Sequence, residues 1–279
     1  MAAARSLFLS SRFLDETGTI FTPSTEVATL PATNLQKRHP ARVWRSTEKS
    51  PNIVINTPTA NIGNAFAIVG HNASASAQWR VRAAFTSGGL TSSPVYDSGL
   101  ISMWPASGKP VDEVVGFPYL CSFVTFSNTL NNIFYWRMDI SDASNANNFE
   151  CGRMFFGVGI NPTINMSNDP IIQPVTKGDQ RRSDFNYVSA DDRGNNGRRL
   201  SLPFGSIDRI DFRKYILPFQ MYHGVSKDFF FCADIAAQEE LPMYSGQFLF
   251  EDTPSNQRQR AFNVNGAKWG AQMVLTEMT

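Results

Sequence analysis

The chain has 279 residues, enough for one large domain or two modest ones with a sizeable core. Its 25 Lys and Arg against 24 Asp and Glu give a formal net charge of +1, which leaves no electrostatic footprint for nucleic acid or an anionic membrane. Charged residues are only 18% of the chain, below the roughly 25% usual in soluble domains, a composition that fits a surface covered by copies or partners.

The opening MAAARSLFLSSRF holds an apolar patch that Arg12 interrupts. It is too short for a signal core or a membrane span, so no membrane insertion is expected. Strand signals then dominate. NIVINT (52–57), AFAIVG (65–70), QWRVRAAF (78–85), YLCSFVTF (119–126) and IFYWRMDI (133–140) are short runs rich in β-branched or aromatic residues. Pro, Gly, Asn and Ser clusters separate them. In QWRVRAAF, Trp79, Val81 and Ala83 share one face and Arg80 and Arg82 the other, the pattern of a half-buried antiparallel strand. Between two of these runs, GHNASASA reads as a connection in which Gly70 and Asn72 accept left-handed backbone angles. His71 therefore sits at a strand end in a turn, with no carboxylate or second histidine nearby in sequence for a relay or a metal site.

CGRMFFGVG (151–159) is a further strand, followed by the polar INPTINMSNDP. Strands are expected over 183–192 and 197–204, with DRGNNGRR as the hairpin tip between them. One helix is expected over about 207–222. Ile207, Ile210, Lys214 and Leu217 form one stripe, with Phe212, Tyr215 and Phe219 beside it. Ser206 is a candidate cap, Pro218 a bend, and His223-Gly224 the stop. SKDFFFCAD reads as a buried strand, and MYSGQFLFED and KWGAQMVLTEM as two more. The fold class is mainly β: an N-terminal jelly-roll β-sandwich over 1–158 and a C-terminal β-rich domain with one helix over 159–279.

Chemistry-bearing motifs are sparse. Cys121, Cys151 and Cys232 are far apart and odd in number, so they read as reduced, buried thiols rather than disulfides or zinc ligands. Asn72 and Asn165 match the glycosylation pattern, without a secretory signal to make it count. Lys177-Gly178-Asp179 lacks the spacing of a phosphate loop, and DDRGNNG lacks the ligand alternation of a calcium loop. Glu239-Glu240 reads as a solvated pair. There is no GxSxG or HExxH motif. No catalytic residue, cofactor or metal site is expected, and the chain reads as a non-enzyme. Four tryptophans fall in the first domain. Trp79 and Trp136 lie in strand patterns, while Trp104, in the loop ISMWPASGKP, is the candidate for an exposed ring stacked on a sugar.

The segment LPATNLQKRHPARVWRS (30–46) is more specific. Its Asn-Leu pair, loop and Arg-x-Trp-Arg-Ser resemble the start of the discoidin-like, galactose-binding jelly rolls in tail proteins of long-tailed bacteriophages. NIVINT, AIVGHNASASAQWRVRAAF, PVYDSG (94–99), YWRMDISDASNANNFECGRMFFG (135–157) and the late helix followed by HGVSKDFFF continue the resemblance in order. In these terms Asn34 holds the loop, Trp44 fills the sandwich edge, Arg42 and Arg45 pair with carboxylates or carbonyls, and His71 and Asn72 organise the next loop. The resemblance implies a structural component of a phage tail tip or baseplate, similar to distal tail proteins. Such a protein is made in the host cytoplasm and resides in the virion tail. Its expected partners are its own copies in a ring, a hexamer among the options, and other tail and baseplate proteins. The alternative is a carbohydrate-binding module for attachment to host-surface glycan. The sequence departs from a pure lectin in having no dense cluster of aromatic and acidic loop residues.

Overall fold

The computed structural model describes residues 5–104, 119–167, 169–175, 179–182, 188–191, 197–236, 241–259 and 268–279. In chain order the strands are β1 (Leu7–Ser10), β2 (Ile20–Pro23), β3 (Trp44–Arg45), β4 (Asn52–Val69), β5 (Gln78–Ala84), β6 (Tyr96–Asp97), β7 (Ile101–Ser102), β8 (Cys121–Ser141), β9 (Glu150–Cys151), β10 (Arg153–Gly157), β11 (Gly159–Ile160), β12 (Ile171–Val175), β13 (Asp179–Arg182), β14 (Val188–Asp191), β15 (Gly197–Ile207), β16 (Phe229–Cys232), β17 (Ser245–Phe250), β18 (Ser255–Gln259) and β19 (Lys268–Glu277). Every described strand pairing is antiparallel.

The first unit is a sandwich built largely from two long strands. The runs at 52–57 and 65–70, expected as separate strands, belong to the single strand β4; those at 119–126 and 133–140 belong to β8. The polar stretches between them are bends, not loops. The β4–β8 ladder slips register between Asn56 and Ala65, and Asn132 takes φ 59° there, an angle Asn tolerates. The first half of β4 pairs with β2 and with the second half of β8, beyond which lies β5; its second half pairs with β10 and the first half of β8. The bends thus fold one ladder into two facing layers. Trp136 fills the space between them, with ring centroids 5.4 Å from Phe156, 5.9 Å from Phe126 and 6.2 Å from Phe66. A Cβ at Gly63 would stand 2.8 Å from the Trp136 indole, so the bend needs glycine there. Strand β5 alternates as expected: Trp79, Val81 and Ala83 enter this core, while Arg80 pairs with Asp97 and Arg82 with Asp139.

The second unit is a sheet in the order β11-β1-β16-β17-β19-β15-β12, with β18 also on β19. Strand β1 precedes the sandwich in sequence yet lies inside this sheet, between β11 and β16. Its alternation explains the unbroken apolar run. Leu7 and Leu9 face Ala65, Ala67 and Val69 of the sandwich, together with Phe230 and Cys232 of β16. Phe8, Phe229 and Phe231 point the opposite way, into a second core. Strands buried on both faces have no polar side to show. The sandwich therefore packs on one face of the second sheet and a helix on the other.

That helix runs as Arg209–Asp211, a π-helical stretch Phe212–Ile216 and Leu217–His223. Asp208, not Ser206, caps it: Asp208 Oδ1 accepts from the Ile210 N–H at 2.7 Å, and Ser206 is still in β15. The wide turn precedes Pro218, which has no N–H to give and whose ring would crowd a regular turn. The inserted residue also rotates the buried face. Phe212, Ile216, Phe219 and His223 are buried, while Ile210 is 69% exposed, so the stripe through Ile210 and Lys214 is not the buried one. Among the described residues β14 and β15 do not pair as the expected hairpin: β14 pairs with β13, and β15 with β12 and β19. Its tip at 192–196, Lys177-Gly178 and Glu239-Glu240 lie outside the described residues.

One buried ion pair ties the units together. Arg153 of β10 is fully buried. Its Nε and Nη2 donate to the two carboxylate oxygens of Asp228, just before β16, at 2.8 and 2.9 Å. Nη2 also reaches Asp15 at 2.9 Å, and Nη1 donates to the Leu35 carbonyl at 3.1 Å. Gln247 of β17 donates to Asp228 at 2.7 Å and to the Arg38 carbonyl at 2.6 Å. Replacing Arg153 with Met leaves buried Asp228 with only the Gln247 amide and Arg38, 3.8 Å away, so Arg153→Met is expected to lower unfolding free energy by about 3 kcal/mol. Urea titration read by tryptophan fluorescence and far-UV dichroism checks this, and the two signals should shift together because the pair serves both units.

Candidate functional site

Two places were candidates: the loop end of the sandwich, where the sequence pointed, and the junction of the two units. At the loop end, the residues between β4 and β5 meet those between β8 and β9. His71 Nδ1 accepts from the Ala73 N–H at 3.4 Å. Its Nε2–H therefore donates to Ser122 Oγ at 2.9 Å, and that hydroxyl donates to the Met103 carbonyl at 2.6 Å. Asn72 imitates a strand pairing: its amide donates to the Asn148 carbonyl at 2.8 Å and its oxygen accepts from the Glu150 N–H at 2.9 Å. Buried Asp142 accepts from the Ser74 N–H at 2.9 Å, from the Ser74 hydroxyl, and from Asn145 at 3.0 Å.

The other expected residues also organise the fold. Asn34 Nδ2 donates to the Val43 carbonyl at 2.9 Å, closing the 34–43 loop. Trp44 is fully buried, edge-on to Phe149 at 6.0 Å. Arg45 pairs with Glu150. A Cβ at Gly152 would collide with the Pro40 carbonyl oxygen, so this loop seats directly on the strand backbone. Trp104 differs from expectation. It is 4% exposed and packs edge-on to His71 at 5.3 Å, so its ring offers no stacking face to solvent. The loop beyond it, 105–118, lies outside the described residues. Asn34, His71, Asn72 and Asp142 are engaged with other side chains and with the backbone.

The junction is different. Ser10–Phe13, the β10–β11 crossover and the last two turns of the helix enclose a cleft of about 190 Å³. Phe13, Tyr215 and Tyr222 line it, with Arg12 and Lys214 among its walls and no carboxylate in its lining. The Arg12 guanidinium carbon stands 5.8 Å from the Phe13 ring centre and 6.0 Å from that of Tyr222. Lys227 Nζ lies 3.7 Å from the Tyr222 ring centre, and Lys214 Nζ 5.0 Å from that of Tyr215. Burial raises the Tyr222 phenol pKa, keeping it a neutral donor. His223 sits at the base. Its Nδ1–H donates to the Lys227 carbonyl at 3.2 Å, so Nε2 accepts from the Ser10 hydroxyl at 2.9 Å. Burial holds this imidazole down to about 4, which keeps it neutral.

Sequence reading missed this site because its walls come from three distant segments. His223 was read only as a helix stop. A usable signal was present for the ion pair beneath: Arg153 and Asp228 each abut a run buried on both faces, where an unpaired charge is untenable.

Among the described residues no cluster of His, Cys, Asp or Glu is arranged to hold a metal, and no helix is long and apolar enough to cross a membrane. The three cysteines are free and buried, and burial pushes Cys121 up to about 11 and Cys151 to about 12. No protein-family model matches the chain, and no curated protein sequence matches it. Several solved structures are similar to part of it. Chitosan-binding module 1 of a chitosanase/glucanase from Paenibacillus sp. IK-5 is 14% identical, with 54% of this chain and 98% of that chain covered and a TM-score of 0.39. The family 32 carbohydrate-binding module of NanJ from C. perfringens, in complex with galactose, is 12% identical over 54% and 98%, with a TM-score of 0.37. Reduced XRCC1 bound to the DNA polymerase β catalytic domain is 17% identical over 49% and 93%, also with a TM-score of 0.37.

The His223 geometry carries a pH dependence. The folded imidazole holds its proton less tightly than the unfolded one. The stability contributed by neutral His223 is thus present above pH 6.5 and is lost as pH falls toward 4. The loss is at most roughly 3 kcal/mol. Urea unfolding at several pH values across that window should show the decline, and His223→Gln should flatten it whatever its effect at neutral pH.

Proposed function

We propose that the protein is a non-catalytic carbohydrate-binding protein and that the junction cleft is where a sugar ring sits. The observation that carries this is the cleft lining. Phe13, Tyr215 and Tyr222 line the cleft with aromatic surface for the C–H side of a pyranose, and Arg12 and Lys214 line the same cleft to bond its hydroxyls. The loop end of the sandwich is the weaker seat, because Trp104 is buried and Asn72 and Asp142 bond within the protein. A binding role without catalysis fits the same groups: both nitrogens of His223 are engaged, and no pair of carboxylates lines the cleft.

A second reading, a subunit of a ring in a bacteriophage tail tip, is favoured by the ordered sequence resemblance and by one structural feature. Strand β12 ends the second sheet, and Ile171 on it is 59% exposed, a ready edge for a neighbouring copy. The two readings are compatible, since a virion subunit can also hold host glycan. Native mass of the purified protein tests this second reading; a strict monomer at high concentration, absent from virions, ends it.

The first reading is tested by a glycan array followed by calorimetric titration of the best binder. Tyr222→Ala should weaken binding roughly five- to tenfold while leaving the melting temperature near that of the parent. No binding to any glycan, or binding indifferent to Tyr222→Ala, counts against the cleft.

A further inference from the structure

The charge around the junction cleft is one-sided. Arg12 and Lys214 line it, both exposed, and Lys227 Nζ lies 3.7 Å from the ring centre of Tyr222, which also lines it. The acids nearest in sequence or packing are already engaged. Asp15 and Asp228 hold Arg153, and Asp211 accepts from the Thr163 N–H at 2.7 Å. Glu16 accepts from the Thr59 hydroxyl at 2.8 Å. Among the described residues, neither Arg12 nor Lys214 has a carboxylate within ion-pair distance. Burial keeps His223 neutral and both its nitrogens are already bonded, so it neither repels a cation nor competes for an anion. Two cations on a partly apolar cleft with no acid in its lining create a positive potential that a neutral ring leaves unused.

We infer that the cleft takes an acidic sugar, a single ring bearing a carboxylate or sulfate that Arg12 and Lys214 hold while Phe13 and Tyr222 pack its apolar face. The cleft volume of about 190 Å³ suits one ring. It is smaller than the roughly 300–1,000 Å³ that drug-sized ligands fill. This inference rests on the carbohydrate reading and narrows it.

The test uses two matched pairs of probes on the full chain, by ligand-observed NMR titration: galacturonate against its methyl ester, and galactose 6-sulfate against galactose. Each pair keeps the ring and removes the charge. At low salt at least one charged probe should bind about tenfold more tightly than its neutral partner, and the gap should shrink at high salt. Arg12→Gln and Lys214→Gln should each close most of that gap without moving the melting temperature, since both side chains are exposed. A gap only for galacturonate assigns a carboxylate, and a gap only for the sulfate assigns a sulfate ester. Equal binding of charged and neutral partners overturns the acidic-sugar inference and leaves the carbohydrate reading standing. Binding of none of the four probes, or a charge gap untouched by both substitutions, removes the cleft as its seat.

Discussion

The relative placement of every layer depends on the Arg153–Asp228 pair. Apolar contacts between the sandwich and the second sheet are strong but not directional. Leu7, Leu9, Ala67, Val69 and Phe230 would pack nearly as well after a small slide. A buried guanidinium does not permit that slide. It needs its bidentate carboxylate, and its remaining donors need Asp15 and the Leu35 carbonyl. Desolvating two charges costs several kcal/mol per ion, which the mutual attraction and these extra bonds offset only in one geometry. The pair is thus better understood as setting register than as adding net stability.

The route of the N-terminus makes the two units one cooperative object. Leu7 pairs with Cys232 across nearly the whole chain, so the second sheet is incomplete until the first ten residues arrive. Ser11 then donates to the Asp228 carbonyl at 3.0 Å, and the next turn delivers Asp15 to Arg153. Between these anchors the chain has no slack, and Ser10 to Phe13 become one wall of the junction cleft. The cleft is a consequence of how the layers are tied, which is why no single segment of sequence announces it.

What could be read from the sequence follows from the range of each interaction. Alternation in QWRVRAAF and the unbroken run DFFFC are local, and both strands are found where those patterns put them. Asn34 acts over the same short range: its short polar side chain, in a turn sequence, bonds the backbone carbonyl of nearby Val43. The merged strands β4 and β8 were not legible. Pro58, Gly63 and Asn132 look like loop formers in isolation, and only long-range pairing turns them into bends within one ladder. Trp104 was misplaced by the same limit, since its loop context said exposed while His71, distant in sequence, covers it. The helix face was rotated by a π turn that simple 3.6-residue spacing does not contain.

The near-zero net charge hides the feature that matters most at the junction. Balance over the whole chain says nothing about where the signs go. Arg153, Arg82 and Arg198 draw Asp228, Asp15, Asp139 and Glu277 into buried or half-buried pairs, where those carboxylates no longer face a ligand. Beneath the junction, Asp15 and Asp228 are both committed to the one guanidinium of Arg153. Among the described residues Arg12 and Lys214 have no carboxylate within ion-pair distance, and the fold sets both on the same aromatic-walled cleft. The same ion pairing that holds the layers in register therefore gives the junction its positive field. The register of the layers and the positive charge on the cleft come from one distribution of charge.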